Sequence, residues 1–260
     1  MIIDIPLVTP NSRKYFDYAS DKEKHKHYRA LDIRLCLERI CDEIIFELAS
    51  DVDKKKWVDY SLHKKLEISK QFLDNTTVSG LLDSKKIGNI GAHEGEEGNI
   101  SDKELEQALK SIRDFSLSVF LSFFKKYGFE ANSIPWVPTV FSTLPPIYRV
   151  AVLEKYYLFN PSLFVIEKLS MAYLKSGKER EARNFLQQCF HNNEIDSYLY
   201  SAFNDKLTLL RDNIDKFPIA NNLDEARKNF DRVLPGIAEK ERTIFIILVS
   251  MILTGNKPTL

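Results

Sequence analysis

A chain of 260 residues with 44% apolar and 28% charged side chains has the material for one large or two modest hydrophobic cores, and its composition is that of an ordinary soluble globular protein. The formal net charge is zero. This excludes a global electrostatic pull toward nucleic acid or an anionic membrane, so any such binding needs a local patch. Only nine glycines occur, while Leu, Ile, Phe, Lys and Glu abound, a balance that favours helix and predicts an all-α fold.

The three cysteines, Cys36, Cys41 and Cys189, lack metal-ligand spacing. Cys36 and Cys41 fall on roughly opposite sides of a predicted helix, so they read as buried free thiols of a cytoplasmic protein. The start of the chain, cut by Pro6, is too short for a signal peptide. The longest apolar run, Ile244 to Leu253, is about half a membrane span. It predicts a buried helix and no membrane association.

The first 27 residues hold a short apolar segment, Ile2 to Val8, and then a charged stretch with His25 and His27. Two histidines at i, i+2 without a third ligand read as a solvated helix entry, and no metal site is expected. Residues 28–49 carry Leu31, Leu35, Ile40, Ile44, Ile45 and Leu48 at helical spacing. Arg34 with Glu38, and Arg39 with Glu43, are set for i, i+4 pairing. Lys54 to Tyr60 mixes basic and aromatic residues, but Asp51, Asp53 and Asp59 offset the charge, and the stretch reads as a loop anchored by Trp57. A weaker helix follows over 61–73, and Leu81-Leu82 closes another short one.

Ser101 and Glu104 form a capping box. It opens a long helix with an apolar stripe from Leu105 to Phe123, ending at Gly128 as the C′ residue. Prolines 135, 138, 145 and 146 make 131–147 a linker, so the expected domains are 1–130 and 148–260. Beyond the linker, helices are expected at about 147–158, 161–175, 178–191, 194–213, 222–234 and 238–254. Ala172 to Lys178 followed by Glu181-Ala182 resembles the junction of a tetratricopeptide-type helix pair. Its echo at Leu223 to Arg227 misses the 34-residue period, leaving an irregular stack of helix pairs.

The stretch with the most chemical content is Lys85 to Gly95, which gathers three glycines, Asn89 and His93. On a helix, Asn89 and His93 would share one face. With the helix at Arg34 to Leu48, the segment Leu62 to Leu66 and the capped helix at Ser101, this stretch resembles a bacterial domain-of-unknown-function family found with restriction and phage-defence proteins. That family is similar to the HEPN superfamily of helical bundles, many of which are dimeric, metal-independent ribonucleases. The likeness covers roughly residues 28–128. It implies a HEPN-like helical module in a defence or nucleic-acid-processing system. It also implies a candidate catalytic pair, His93 and Asn89, with Lys85 and Lys86 as candidate nucleic-acid contacts.

The chain departs from that pattern. Lys85 stands where the family has Arg, and Gly88 fills the slot that carries an Arg in active HEPN ribonucleases. Two readings therefore stand. One is a non-catalytic interaction protein in which Asn89 and His93 brace the bundle, with protein partners. The other is a dimeric endoribonuclease, pairing through the N-terminal bundle and acting on RNA, in which His93 moves a proton and a lysine neutralises phosphate. No phosphate-binding loop, dinucleotide fingerprint, nucleophile elbow or zinc motif is present, and no cofactor is expected.

Overall fold

The computed structural model describes residues 6–92, 100–130 and 135–258. Every described element is helical, as the composition predicts. The chain divides into two compact units: residues up to Ser122 together with those from Thr243 onward, and Phe123–Arg242 between them.

In the first unit, α1 (Pro10–Ser20) starts with Pro10 at a position that needs no amide donor, and Thr9 caps it by accepting from the Ser12 amide. Helix α2 (Lys26–Ile40) buries Ala30, Ile33, Cys36, Leu37 and Ile40 completely. The single helix expected over 28–49 is interrupted by a π-helical turn, Cys41–Ile45, before α3 (Phe46–Leu48). One extra residue in that turn changes which way the following side chains face. The expected Arg39–Glu43 pair does not form. Glu43 instead accepts from Asn11 Nδ2 at 3.0 Å and from the Thr9 hydroxyl. Asp42, on the same turn, accepts from Trp57 Nε1 at 2.8 Å and Lys65 Nζ at 2.7 Å.

Ser50 caps α4 (Asp51–Lys55), so Lys54 and Lys55 lie on a short helix and not in the expected loop, while Trp57 is buried as the anchor. Helix α5 (Leu62–Ile68) follows. Helix α6 (Asn75–Ile90) then runs unbroken past Leu81-Leu82, where the sequence predicts a short helix to close. Thr76, Thr77, Ser79 and Gly80 weaken its intrinsic propensity. The Asp74 cap, which accepts from the Thr77 amide at 2.9 Å, and the burial of Val78 and Leu81 override that weakness.

Helix α7 (Asp102–Tyr127) opens with the expected capping box: Glu104 N–H donates to Ser101 Oγ, and Ser101 N–H to Glu104 Oε2. It ends at Gly128, at φ +86°.

The second unit contains α8 (Val137–Phe141), α9 (Pro146–Tyr157), α10 (Leu163–Lys175), α11 (Glu179–His191), α12 (Ser197–Asp212) and α13 (Leu223–Val233). Thus the expected proline linker holds a short buried helix. Pro138 sits in the first turn of α8, where a missing amide does no harm. Consecutive helices from α9 to α12 pack on one another, and Gly177 makes the α10–α11 turn at φ +77°. An aromatic cluster fills the base: Phe124 lies 4.6 Å from Phe129, 5.0 Å from Phe141 and 5.7 Å from Tyr156 between ring centroids.

The last helix, α14 (Ile244–Thr254), is shorter than expected and belongs to the first unit. There Phe245 meets Phe120 at 5.4 Å, Arg13 donates to the Ile252 carbonyl, and Lys257 pairs with Glu47 at 2.7 Å. The division of the chain therefore falls at Ser122–Phe123 and Arg242–Thr243, whereas the sequence placed one boundary at 131–147. An all-apolar helix must be covered on every side, and α14 finds that cover in the first unit. Among the described residues, no helix is long and apolar enough to cross a membrane.

Candidate functional site

The candidate stretch begins as the second half of α6, and its glycines explain where it lies. A Cβ added to Gly88 would stand 2.7 Å from Arg34 Cβ and 3.0 Å from Arg34 Cα. One added to Gly91 would stand 2.5 Å from the Leu31 amide nitrogen and 2.7 Å from the His27 carbonyl oxygen. The backbone of α6 thus presses directly on α2, closer than any side chain permits. Farther up the helix, Gly80 faces Ser111 and Ser84 Oγ donates to the Ala108 carbonyl at 3.4 Å, setting α6 against α7 as well.

At this seam Arg34 Nη1 donates to Asn89 Oδ1 at 3.1 Å, while Arg34 Nε donates to Glu38 Oε1 at 3.0 Å. The Arg34–Glu38 pair is the one that i, i+4 spacing predicts. The reach to Asn89 is not visible in the sequence. It follows from the Gly88 contact, which brings the two backbones close enough for the guanidinium to cross. Arg34 is about one-third exposed, so the pairing is partly screened. Arg34 Nη2 makes no hydrogen bond to a described residue.

Lys85 lies one turn before Asn89 and has no ion pair among the described residues. Lys86 is exposed and pairs with Asp83 at 2.7 Å. The described seam therefore offers Arg34, Lys85 and Lys86 against Glu38 and Asp83, not a concentrated basic face. Helix α6 ends at Ile90, with Gly91 as its C-cap. His93 lies outside the described residues, so its expected place one turn from Asn89 has no structural description here.

His27, read as part of a solvated helix entry, is half-buried, and its Nδ1 is enclosed without a hydrogen-bond partner. Its carbonyl is the one that Gly91 abuts. His63 and His191 are exposed. No group of three or more His, Cys, Asp or Glu among the described residues could hold a metal ion. The cysteines are free and buried, and burial pushes the thiols of Cys36 and Cys41 well above their ordinary range. Such burial disfavours the thiolate and suits these side chains to apolar packing.

The site belongs to an all-α bundle in which a glycine-notched helix is clamped to its neighbour by an arginine–amide bond. Compared with family models, curated proteins and solved structures, the chain matches none.

Proposed function

We propose that this protein is a non-catalytic helical interaction protein, a scaffold within a bacterial or phage-related defence or nucleic-acid-processing assembly. The defence setting rests on the sequence resemblance alone. The observation that carries the scaffold reading is the engagement of Arg34. Its guanidinium is divided between Glu38 and Asn89, so the motif's described polar group holds α6 to α2. The α9–α10 connection adds a surface suited to a protein partner, with Leu158 82% and Phe159 58% exposed. Affinity capture from the host should recover a stoichiometric protein partner, and Leu158→Ser with Phe159→Ser should reduce that capture. A protein that stays alone and monomeric in its host sinks this reading.

A second reading, a dimeric metal-independent endoribonuclease using His93, is favoured by one observation. A guanidinium lies beside Asn89 even though position 88 is glycine. Arg34 could take the phosphate-facing role that the motif itself leaves open. Purified protein that cleaves RNA, and loses cleavage on His93→Ala and on Arg34→Ala while remaining folded, would replace the first reading by the second.

A further inference from the structure

Within the second unit, α8, α9 and α10 enclose a cleft of about 350 Å³, toward the lower end of the size range of small-molecule sites. One face of α10 supplies Phe164, Lys168, Met171 and Lys175, a stripe at steps of four, three and four residues that points along a single side of the helix. Helix α9 supplies Arg149 from across the cleft. Among the described residues, three cations line this space and no carboxylate does.

Arg149 is the unusual member. It is only 7% exposed, and its Nε is fully enclosed without a hydrogen-bond partner. Among the described residues it has neither hydrogen bond nor ion pair. A guanidinium in apolar surroundings without a counter-ion is strongly unfavourable, and proteins keep such groups where something else supplies the opposite charge. Among the described residues Lys168 and Lys175 have no ion pair; their ammonium groups lie over aromatic faces, Phe164 at 5.0 Å and Phe217 at 5.4 Å. Burial, with the charges of Arg149 and Lys168, brings the Lys175 ammonium down to about 8; burial brings Arg149 down to about 10. The positive charges thus press on one another with no anion among the described lining residues to relieve them.

We propose that this cleft binds a small phosphate monoester carrying an apolar or aromatic body, with Arg149, Lys168 and Lys175 holding the phosphate and Phe129, Phe141 and Phe164 against the body. A carboxylate would bring a single negative charge to three cations. A phosphate dianion brings two on one compact group, and its oxygens match the guanidinium fork. The site is independent of the α2–α6 seam and of either reading of it.

Titration calorimetry and thermal unfolding of the full chain, at constant ionic strength, test this with phenyl phosphate, adenosine 5′-monophosphate, inorganic phosphate and adenosine. The two monoesters should bind saturably and raise the melting temperature. Inorganic phosphate should bind about tenfold more weakly or worse, and adenosine should not bind. Lys168→Gln, at a partly exposed position, should weaken the monoesters by about tenfold or more without altering the fold. Arg149→Met should abolish their binding while leaving the melting temperature of the unliganded protein unchanged or higher, because the buried charge is gone. Absence of binding by both monoesters and by phosphate overturns the proposal, as does monoester binding that survives both substitutions. A lower melting temperature for unliganded Arg149→Met would also overturn it, since that would mean the arginine is already satisfied within the fold.

Discussion

Arg34 in the first unit and Arg149 in the second both sit on a helix that faces a neighbouring helix, yet their circumstances are opposite. Arg34 is partly exposed and doubly bonded, to Glu38 and Asn89. Arg149 is buried and bonded to nothing described. Arg29 provides the third case, buried like Arg149 but partnered: its Nε donates to the Ala19 carbonyl at 2.8 Å, and its Nη1 meets Asp102 at 3.4 Å. A partnered arginine, buried or exposed, is accounted for by the fold. A buried one without a partner asks for a ligand.

The contrast can be broken by substitution. Arg29→Met should destabilise the protein by about 2–3 kcal/mol, since it strands a buried carbonyl and removes charge-assisted bonds. Arg149→Met, equal in chemistry and burial, should be neutral or stabilising. Urea unfolding of both variants checks this, and equal losses would erase the distinction.

The glycine seam gives a second, somewhat smaller comparison. Gly91→Ala places its methyl against two backbone atoms of α2, which cannot swing aside, and should cost about 1–3 kcal/mol. Gly80→Ala meets only the Ser111 side chain, its Oγ at 2.8 Å and its Cβ at 3.3 Å. There the helix-propensity gain of up to about 1 kcal/mol offsets the contact. If both substitutions prove equally mild in unfolding midpoints, α6 is not held as closely to α2 as its backbone implies.

The smallest effect is one of pH. The hydrogen bond from Lys26, with the nearby charges of Lys26 and Arg29, holds the Asp102 carboxyl below its ordinary value of 3.8, against the opposing effect of desolvation. A depressed folded-state pKa means that the contribution is complete above the unfolded value and disappears as pH falls through the folded one. The difference in unfolding midpoint between the wild type and Asp102→Asn should therefore be present near neutrality and shrink below the ordinary carboxylate range. A difference that is constant across that range would deny the carboxylate any electrostatic part.

Periodicity made the fold legible where apolar spacing was strong. The capped α7, the helices from Pro146 to Val233 and the buried anchor Trp57 could all be read from the chain. It failed where neighbours decide. The π turn at Cys41 keeps the helical pattern while changing its phase, and α6 is weak in propensity but strong in burial. The partner of α14 is set by packing alone. At the α6 seam, Asn89 could be singled out by its company of glycines, but its bond to Arg34 joins positions 55 apart in the chain. The α10 stripe of Phe164, Lys168, Met171 and Lys175 has regular spacing, but the sequence alone does not single it out. Without Arg149 opposite it, such a stripe is indistinguishable from a solvated helix face with two aliphatic stems laid down on it.

The return of α14 to the first unit has a consequence for biosynthesis. The middle of the chain, Phe123–Arg242, leaves the ribosome before the helix that completes the earlier unit has been made. Phe120 therefore lacks its Phe245 contact while all the residues between them are being synthesised. A nascent or nicked chain that stops before residue 243 lacks α14 and bares the apolar side chains that pack on it, the kind of surface that chaperones and proteases recognise, so a cut there would be felt at α1 and α3.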